Sequence, residues 1–402
     1  MDKNKETRIK KVLNLALESH QANKVKDAKN FYNQVLEIDP KHTDTHYNLG
    51  VLSNQIGEYQ KAKAYFEETI KINPNFANAH YNLGTLFQEL GKYQKAKSYF
   101  EKTIEINPKN VNALHNLGVT LNELGEQQKA KACYEKVIKI NPNHFASHWN
   151  SHTFASSIDE ALSIIKKIYE IDNRNVLVKI MISALEGYKG NFGAFKDILN
   201  SPDANHPYTR SIKWVFSLPK LPKIFFNRWL FFDAVISLTD KSRPFYEFGV
   251  WNAISFRYLI NSFKKGFGFD TFNGIPENWH KEQKGSYSSF GEVPKIEGGE
   301  FIVGKFEDTL PNFFSKEKPM ASLINYDADL YSSTLCALNY SNKVIDEKSI
   351  LVFDEFLMND NWEEDEFKAL NEFCKKSDYS YDIIAISLFT KQVALKLNKK
   401  SN

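Results

Sequence analysis

Five acidic residues in the second half of this 402-residue chain stand at or just beyond the ends of short apolar runs: Glu247, Asp270, Asp327, Asp354 and Glu355. Their types and spacing set the chemistry open to the chain. In Tyr246-Glu247-Phe248-Gly249-Val250-Trp251, Gly249 lets the backbone approach a ligand closely. Asp270 follows 21 residues later, where an acid can accept both hydroxyls of a ribose. No basic residue directly follows it to take a 2′-phosphate. Together these point to an adenosine-type cofactor. The lack of a full GxGxxG and of GxxxxGK[ST] argues against a dinucleotide or a triphosphate. Asp327, Asp354 and Glu355 end two runs that would be neighbours in a parallel sheet. Three carboxylates in a small space repel one another unless a cation or protons intervene. Oxygen-only ligands suit a hard ion such as Mg²⁺. Asp329 reads equally as a cap for the helix that follows.

Strands and helices must alternate to place these acids. Phe245–Phe248, Gly266–Phe269, Phe301–Val303, Leu323–Tyr326 and Ile350–Phe353 read as strands. Ala253–Phe263 and Glu363–Lys376 read as helices, and Tyr381–Ile386 with Val393–Leu397 as a closing antiparallel hairpin. The order implies an α/β, doubly wound, Rossmann-like sheet over residues 241–402, with its ligand beyond the carboxyl ends of the strands. The glycine- and serine-rich stretch Gly285–Gly299 reads as a mobile lid. Residues 201–240, rich in proline and aromatics, read as a linker or docking segment. A sharper reading makes them a helical wall of the pocket.

Pro40, Pro74, Pro108 and Pro142 fall 34 residues apart. Asn48-Leu49-Gly50 recurs as Asn82-Leu83-Gly84 and Asn116-Leu117-Gly118, and Ala62 as Ala96 and Ala130. Gly57 recurs as Gly91 and Gly125, and Phe66 as Phe100 and Tyr134. A 34-residue period marks a two-helix solenoid repeat. Small residues let the helices of a pair approach, Gly57 supplies the turn, and the aromatic at Phe66 fills the gap to the next pair. The pattern resembles the tetratricopeptide repeat (TPR) family. With degraded copies it runs to about residue 200, as five or six helix pairs. The concave face of such an array is expected to bind a protein or peptide partner.

The acidic motifs, in order, resemble the macrocin O-methyltransferase family, a branch of the class I S-adenosylmethionine (SAM) methyltransferases. The matching residues are Glu247-x-Gly249-Val-Trp251, Gly268-Phe-Asp270-Thr-Phe272-x-Gly274-x-Pro276-Glu277 and Gly304-x-Phe306-x-Asp308-Thr-Leu310-Pro311. They continue with Asp327-x-Asp329-Leu-Tyr331 and Asp354-Glu355-Phe356. The resemblance implies a SAM-dependent O-methyltransferase acting on a sugar or glycan hydroxyl. It places Glu247, Gly249 and Ser255 along the methionine end of SAM, Asp270 on the ribose, and Gly304 with Phe306 beside the adenine. It gives Asp327, Asp354 and Glu355 to a divalent metal that binds sugar hydroxyls. Two positions depart from the family: Ala253 stands for a usual glycine, and Glu355 for a second aspartate. Asp327 is the expected general base, with His280 the alternative. The competing readings are a TPR adaptor with a non-catalytic methyltransferase-like domain and a TPR-linked glycosyltransferase.

Composition sets outer bounds. With 52 Lys+Arg against 49 Asp+Glu the net charge is +3, too balanced for a general nucleic-acid binder. The most apolar stretch, Lys223 to Leu238, is short for a membrane span and carries Arg228 and Asp233. The first residues show no signal peptide. Cys133, Cys336 and Cys374 lack CxxC spacing, so reduced thiols in a cytoplasmic protein are expected.

Overall fold

Helices dominate the first part of the chain and strands enter only after residue 222. A computed structural model describes residues 3–399. It divides into two compact units, Met1–Pro142 and Asn143–Asn402. No helix among the described residues is long and apolar enough to cross a membrane.

The first unit holds four helix pairs: Lys3–Gln21 with Val25–Ile38, Thr43–Gln55 with Tyr59–Ile72, Ala77–Glu89 with Tyr93–Ile106, and Val111–Glu123 with Gln127–Ile140. The residues before the repeating prolines, Asp39, Asn73, Asn107 and Asn141, leave the helical region as proline requires. Gly57, Gly91 and Gly125 take left-handed turns between paired helices. A Cβ at Gly50, Gly84 or Gly118 would sit 2.6 Å from the ring of Phe66, Phe100 or Tyr134. The repeating aromatic therefore fills the notch left by glycine in its own repeat.

The second unit opens with further helices: Phe145–Ser151, Ile158–Ile171, Val176–Tyr188, Gly193–Leu199 and Pro207–Ser217. Eight strands follow: β1 (Lys223–Phe225), β2 (Phe245–Phe248), β3 (Gly266–Asp270), β4 (Gly299–Val303), β5 (Leu323–Tyr326), β6 (Ile350–Phe353), β7 (Tyr379–Ser387) and β8 (Val393–Lys399). They form one mixed sheet in the order β1-β7-β8-β6-β5-β2-β3-β4. Strands β6-β5-β2-β3-β4 are mutually parallel, and β8 runs antiparallel to both β6 and β7. From β2 the chain builds outward through β3 and β4, then returns to build the other way through β5 and β6. The order thus reverses between β2 and β5.

Alternate strand residues feed two cores. Phe245, Leu323, Ile350 and Val352 pack with helices Arg228–Ile236 and Ile254–Phe263 on one face. On the other, Phe269, Phe248, Tyr326 and Phe353 stack in register across four strands, with centroids 4.7, 5.4 and 4.8 Å apart. Cross-strand stacking of this kind stiffens the ends of the strands just before the acids.

Two expected boundaries are corrected here. Ile180, Met181, Ala184, Phe195, Ile212 and Val215 share the core of Tyr246, Phe248 and Phe353. The helices after residue 142 therefore belong with the sheet, not to a repeat domain ending at 200. Residues 201–240 are no linker, because they supply β1, which pairs parallel with β7, and a helix whose Trp229, Phe231 and Phe232 are buried. The repeat pattern carries on through these helices while the surface they cover changes from a neighbouring repeat to a sheet.

Candidate functional site

The turn after β2 is built from backbone conformations that side chains disfavour. Gly249, Trp251 and Ala253 all have positive φ, at 90°, 47° and 62°. A Cβ on Gly249 would lie 1.7 Å from the Asp327 carbonyl oxygen. The turn after β5 approaches Gly249 closely. Left-handed residues also follow the other parallel strands: Phe272 and Gly274 after β3, Gly304 after β4, Asp329 after β5 and Met358 after β6. Strain held at one edge of a sheet is where functional sites concentrate.

Glu247 is completely buried on β2. Its Oε1 accepts from the Asn325 amide at 2.8 Å. The Ser255 hydroxyl also favours its charged form, while Oε2 lacks a partner of normal geometry. Burial pushes its carboxyl up to about 8, against these two hydrogen bonds and with the charges of Asp354 and Asp270 adding to the rise. Ser255 and Glu247 therefore come together as expected.

Asp270 has a structural task. Its Oδ2 accepts from the amides of Val250 and Trp251 at 2.7 and 2.8 Å, and Oδ1 from that of Phe272 at 2.6 Å. It fixes the strained β2 turn, and one lone-pair direction on Oδ1 remains for a ligand. Gly304 donates its amide to the Asp270 carbonyl at 3.0 Å, so the tips of β3 and β4 are tied. Phe306, expected beside the adenine, is buried and meets Phe248 edge-on at 5.7 Å, a core contact.

Asp327 and Asp329 follow β5, and Asp354 and Glu355 follow β6. Burial, then the charges of Asp354 and Asp329, push the Asp327 carboxyl well above its usual range. Burial and Glu355 do the same to Asp329. Asp329 does not cap the next helix: the N-cap is Leu330, without a side-chain cap bond. Asp354 accepts from Arg228 Nη2 at 2.9 Å and from Gln392 Nε2 at 2.7 Å. Glu355 accepts from Lys391 Nζ at 2.7 Å. Two of the three expected metal ligands are thus engaged by cationic or amide side chains of the protein. Among the described residues no group of three or more His, Cys, Asp or Glu is disposed to hold a metal ion. The residues as arranged do not form the cage expected of Asp327, Asp354 and Glu355. Behind them Glu366 is fully buried, and neither of its carboxylate oxygens has a hydrogen bond of normal geometry.

The segment after β3 crosses these strand ends. Ile275 donates to the Ser286 carbonyl at 2.9 Å and Gly285 to the Ile275 carbonyl at 3.0 Å, which makes an out-and-back hairpin. The stretch expected as a lid begins inside this hydrogen-bonded hairpin. Glu277 accepts from Ser332, beyond β5, at 2.7 Å. His280 Nε2 meets Asp365 Oδ2, beyond β6, at 2.8 Å. His280 spends that nitrogen on an anchor.

Several site residues carried no motif. Arg228 had one signal, a charge inside the most apolar stretch of the chain. Asn325, Glu366, Lys391 and Gln392 had none, because only packing brings them to the acids. Helix Pro207–Ser217 buttresses the loop after β6. Trp214 packs on Phe356, Trp362 and Phe367, Arg210 pairs with Glu363, and Ser211 accepts the Met358 amide at 2.9 Å. The segment is thus packed against the loop after β6, a packing role.

The tetratricopeptide repeat family matches residues 12–42, 43–109 and 75–143. No curated protein sequence matches the chain. Among solved structures, YrrB, described as a TPR protein with an unusual peptide-binding site, is 23% identical with a TM-score of 0.39. The match covers 44% of this chain and 90% of YrrB. MamA is 24% identical over 40% of this chain and 97% of its own, with a TM-score of 0.38. The pilF protein of Pseudomonas aeruginosa is 17% identical over 49% and 93%, with a TM-score of 0.42.

Proposed function

We propose that the second unit transfers a methyl group from SAM to a hydroxyl of a sugar-containing acceptor, and that the TPR repeats of residues 12–143 hold a protein or peptide partner. One observation carries the catalytic reading: Glu247, Gly249, Asp270 and Asp327 meet where the strand order of the sheet reverses. Open α/β sheets bind ligands outside the carboxyl ends of their strands at such a switch point. The doubly wound, Rossmann-like order supports a class I methyltransferase, and the motif resemblance supports SAM as the ligand.

Bound SAM supplies an electrophilic methyl on a sulfonium. Glu247, beside Ser255 and Asn325, sits where its ionised form would meet the cationic methionine end. Asp270, with one lone-pair direction left on Oδ1, would accept a ribose hydroxyl. Asp327 accepts the proton of the attacking hydroxyl, and its raised pKa makes it a stronger base once ionised. Orientation of the hydroxyl against the methyl accounts for much of the acceleration. No step is assigned to a divalent cation, since Arg228 and Lys391 already neutralise Asp354 and Glu355.

Calorimetric titration of the full chain with SAM and S-adenosylhomocysteine tests the reading. Binding is expected; its absence would reduce the protein to the adaptor reading, which draws on the repeats alone. Asp327→Asn is expected to retain S-adenosylhomocysteine binding and lose at least about 100-fold in methyl transfer, the usual worth of a general base. Full turnover would remove Asp327 from that role.

A further inference from the structure

The hairpin after β3 does more than cover the strand ends. Its outgoing arm is pinned beyond β5 by Glu277 and Ser332, and beyond β6 by His280 and Asp365. Its returning arm carries Tyr287 between Ser286 and Ser288, whose backbones are tied to Ile275 and Asn273. The Tyr287 ring stands edge-on to Trp251 in the β2 turn, centroids 5.5 Å apart and planes at 75°. At 39% exposure the ring remains open to a ligand. The Trp251 Nε1 is buried and has no hydrogen-bond partner.

We propose that Tyr287, carried by this hairpin and set against Trp251, is a positioning residue for the acceptor; this rests on the methyl-transfer reading above. Two aromatic surfaces meeting at an angle offer an apolar wall to the C–H face of a saturated ring. The phenol O–H of the part-exposed Tyr287 is a donor for the ring's oxygens. Asp327 and Asp329 accept from its hydroxyls. That combination recognises a polyhydroxylated ring with one hydroxyl turned towards Asp327. Burial, followed by the charges of Asp329, Glu282, Glu355 and Asp327, keeps the phenol protonated far above neutrality, so Tyr287 donates and does not serve as the base. His280, held by Asp365, anchors the hairpin that presents Tyr287.

The test uses the full chain as wild type, Tyr287→Phe and Tyr287→Ala. Saturation-transfer NMR is recorded with S-adenosylhomocysteine and a mixture of the methyl glycosides of glucose, galactose, mannose and rhamnose. S-adenosylhomocysteine affinity is measured alongside as a control for folding and for the cofactor site. Affinity is expected to stay within twofold in both variants. The glycoside signal is expected to fall about fivefold in Tyr287→Phe, the worth of one neutral hydrogen bond, and further in Tyr287→Ala. An unchanged glycoside signal, or none in the cofactor-loaded wild type, overturns the role of Tyr287 and leaves the methyl-transfer reading standing. Loss of S-adenosylhomocysteine binding in Tyr287→Ala alone, with Tyr287→Phe behaving as wild type, makes the ring structural and also overturns it. A wild type that does not bind S-adenosylhomocysteine removes both.

Discussion

Glu247 concentrates the physics of the site in one side chain. Burial raises its carboxyl from 4.5 to about 8, so the folded chain holds a proton there that the unfolded chain releases. Between those two values stability falls as pH rises, by about 1.4 kcal/mol per unit for this group. Asp327, Asp329 and Glu366, raised for the same reason, add to the same slope. A thermal midpoint that drops from pH 5 to pH 8 is the expected result; a flat profile counts against the buried acids. A cationic ligand favours ionised Glu247, so cofactor binding near pH 7 should release a proton. Titrations in buffers of different ionisation heat read that proton directly. Gly249 is the other decisive residue. Gly249→Ala combines φ of 90° with a Cβ 1.7 Å from a backbone oxygen. It is expected to cost at least about 4 kcal/mol. Gly57→Ala, at φ of 76° with open space around it, should cost only about 1 kcal/mol. Equal losses in urea unfolding would show that the contact with Asp327 does not matter. Ala253 holds a left-handed conformation, so its methyl is tolerated at the cost of local strain.

The elements divide between those that make the sheet and those that fix its ends. Helix Pro207–Ser217 belongs to the second kind. Trp214 fills the space between Phe356, Trp362 and Phe367, and so holds the loop that carries Glu355. Trp214→Ala should cost about 3–5 kcal/mol and weaken cofactor binding with it. A stability loss below about 1 kcal/mol would mean the helix merely lies against the loop. The aromatic row Phe269-Phe248-Tyr326-Phe353 does the equivalent work within the sheet. Its residues alternate with Glu247 and Asn325, so the ends of β2 and β5 each turn an aromatic to one face and a polar side chain into the other, otherwise apolar, face.

The whole molecule is cut where the contacts are cut, after Pro142. A chain beginning at Asn143 should unfold cooperatively and bind S-adenosylhomocysteine like the full chain. A chain beginning at Lys241 loses Ile180, Met181, Ala184, Ile212 and Val215 from one face of the sheet, and β1 from its edge. It is expected to be insoluble or to melt without a cooperative transition. Equal stability of the two fragments would return the boundary to the place the repeat pattern suggested.

The sequence by itself determined the helix pairs, because a 34-residue period of proline, glycine and aromatic residues is local information. It also determined the five parallel strands, the closing hairpin and the acids Glu247, Asp270, Asp327, Asp354 and Glu355, since each acid lies within two residues of the end of its own apolar run. Only the tertiary structure decided what those acids meet. Arg228, at the start of a helix, and Lys391 and Gln392, in the β7–β8 turn, reach Asp354 and Glu355 from up to 126 residues away. Asp270 turns to backbone amides, Gly249 to Asp327, and His280 to Asp365. Side-chain partners across a sheet depend on strand order, and strand order leaves no mark in the local pattern of any one strand.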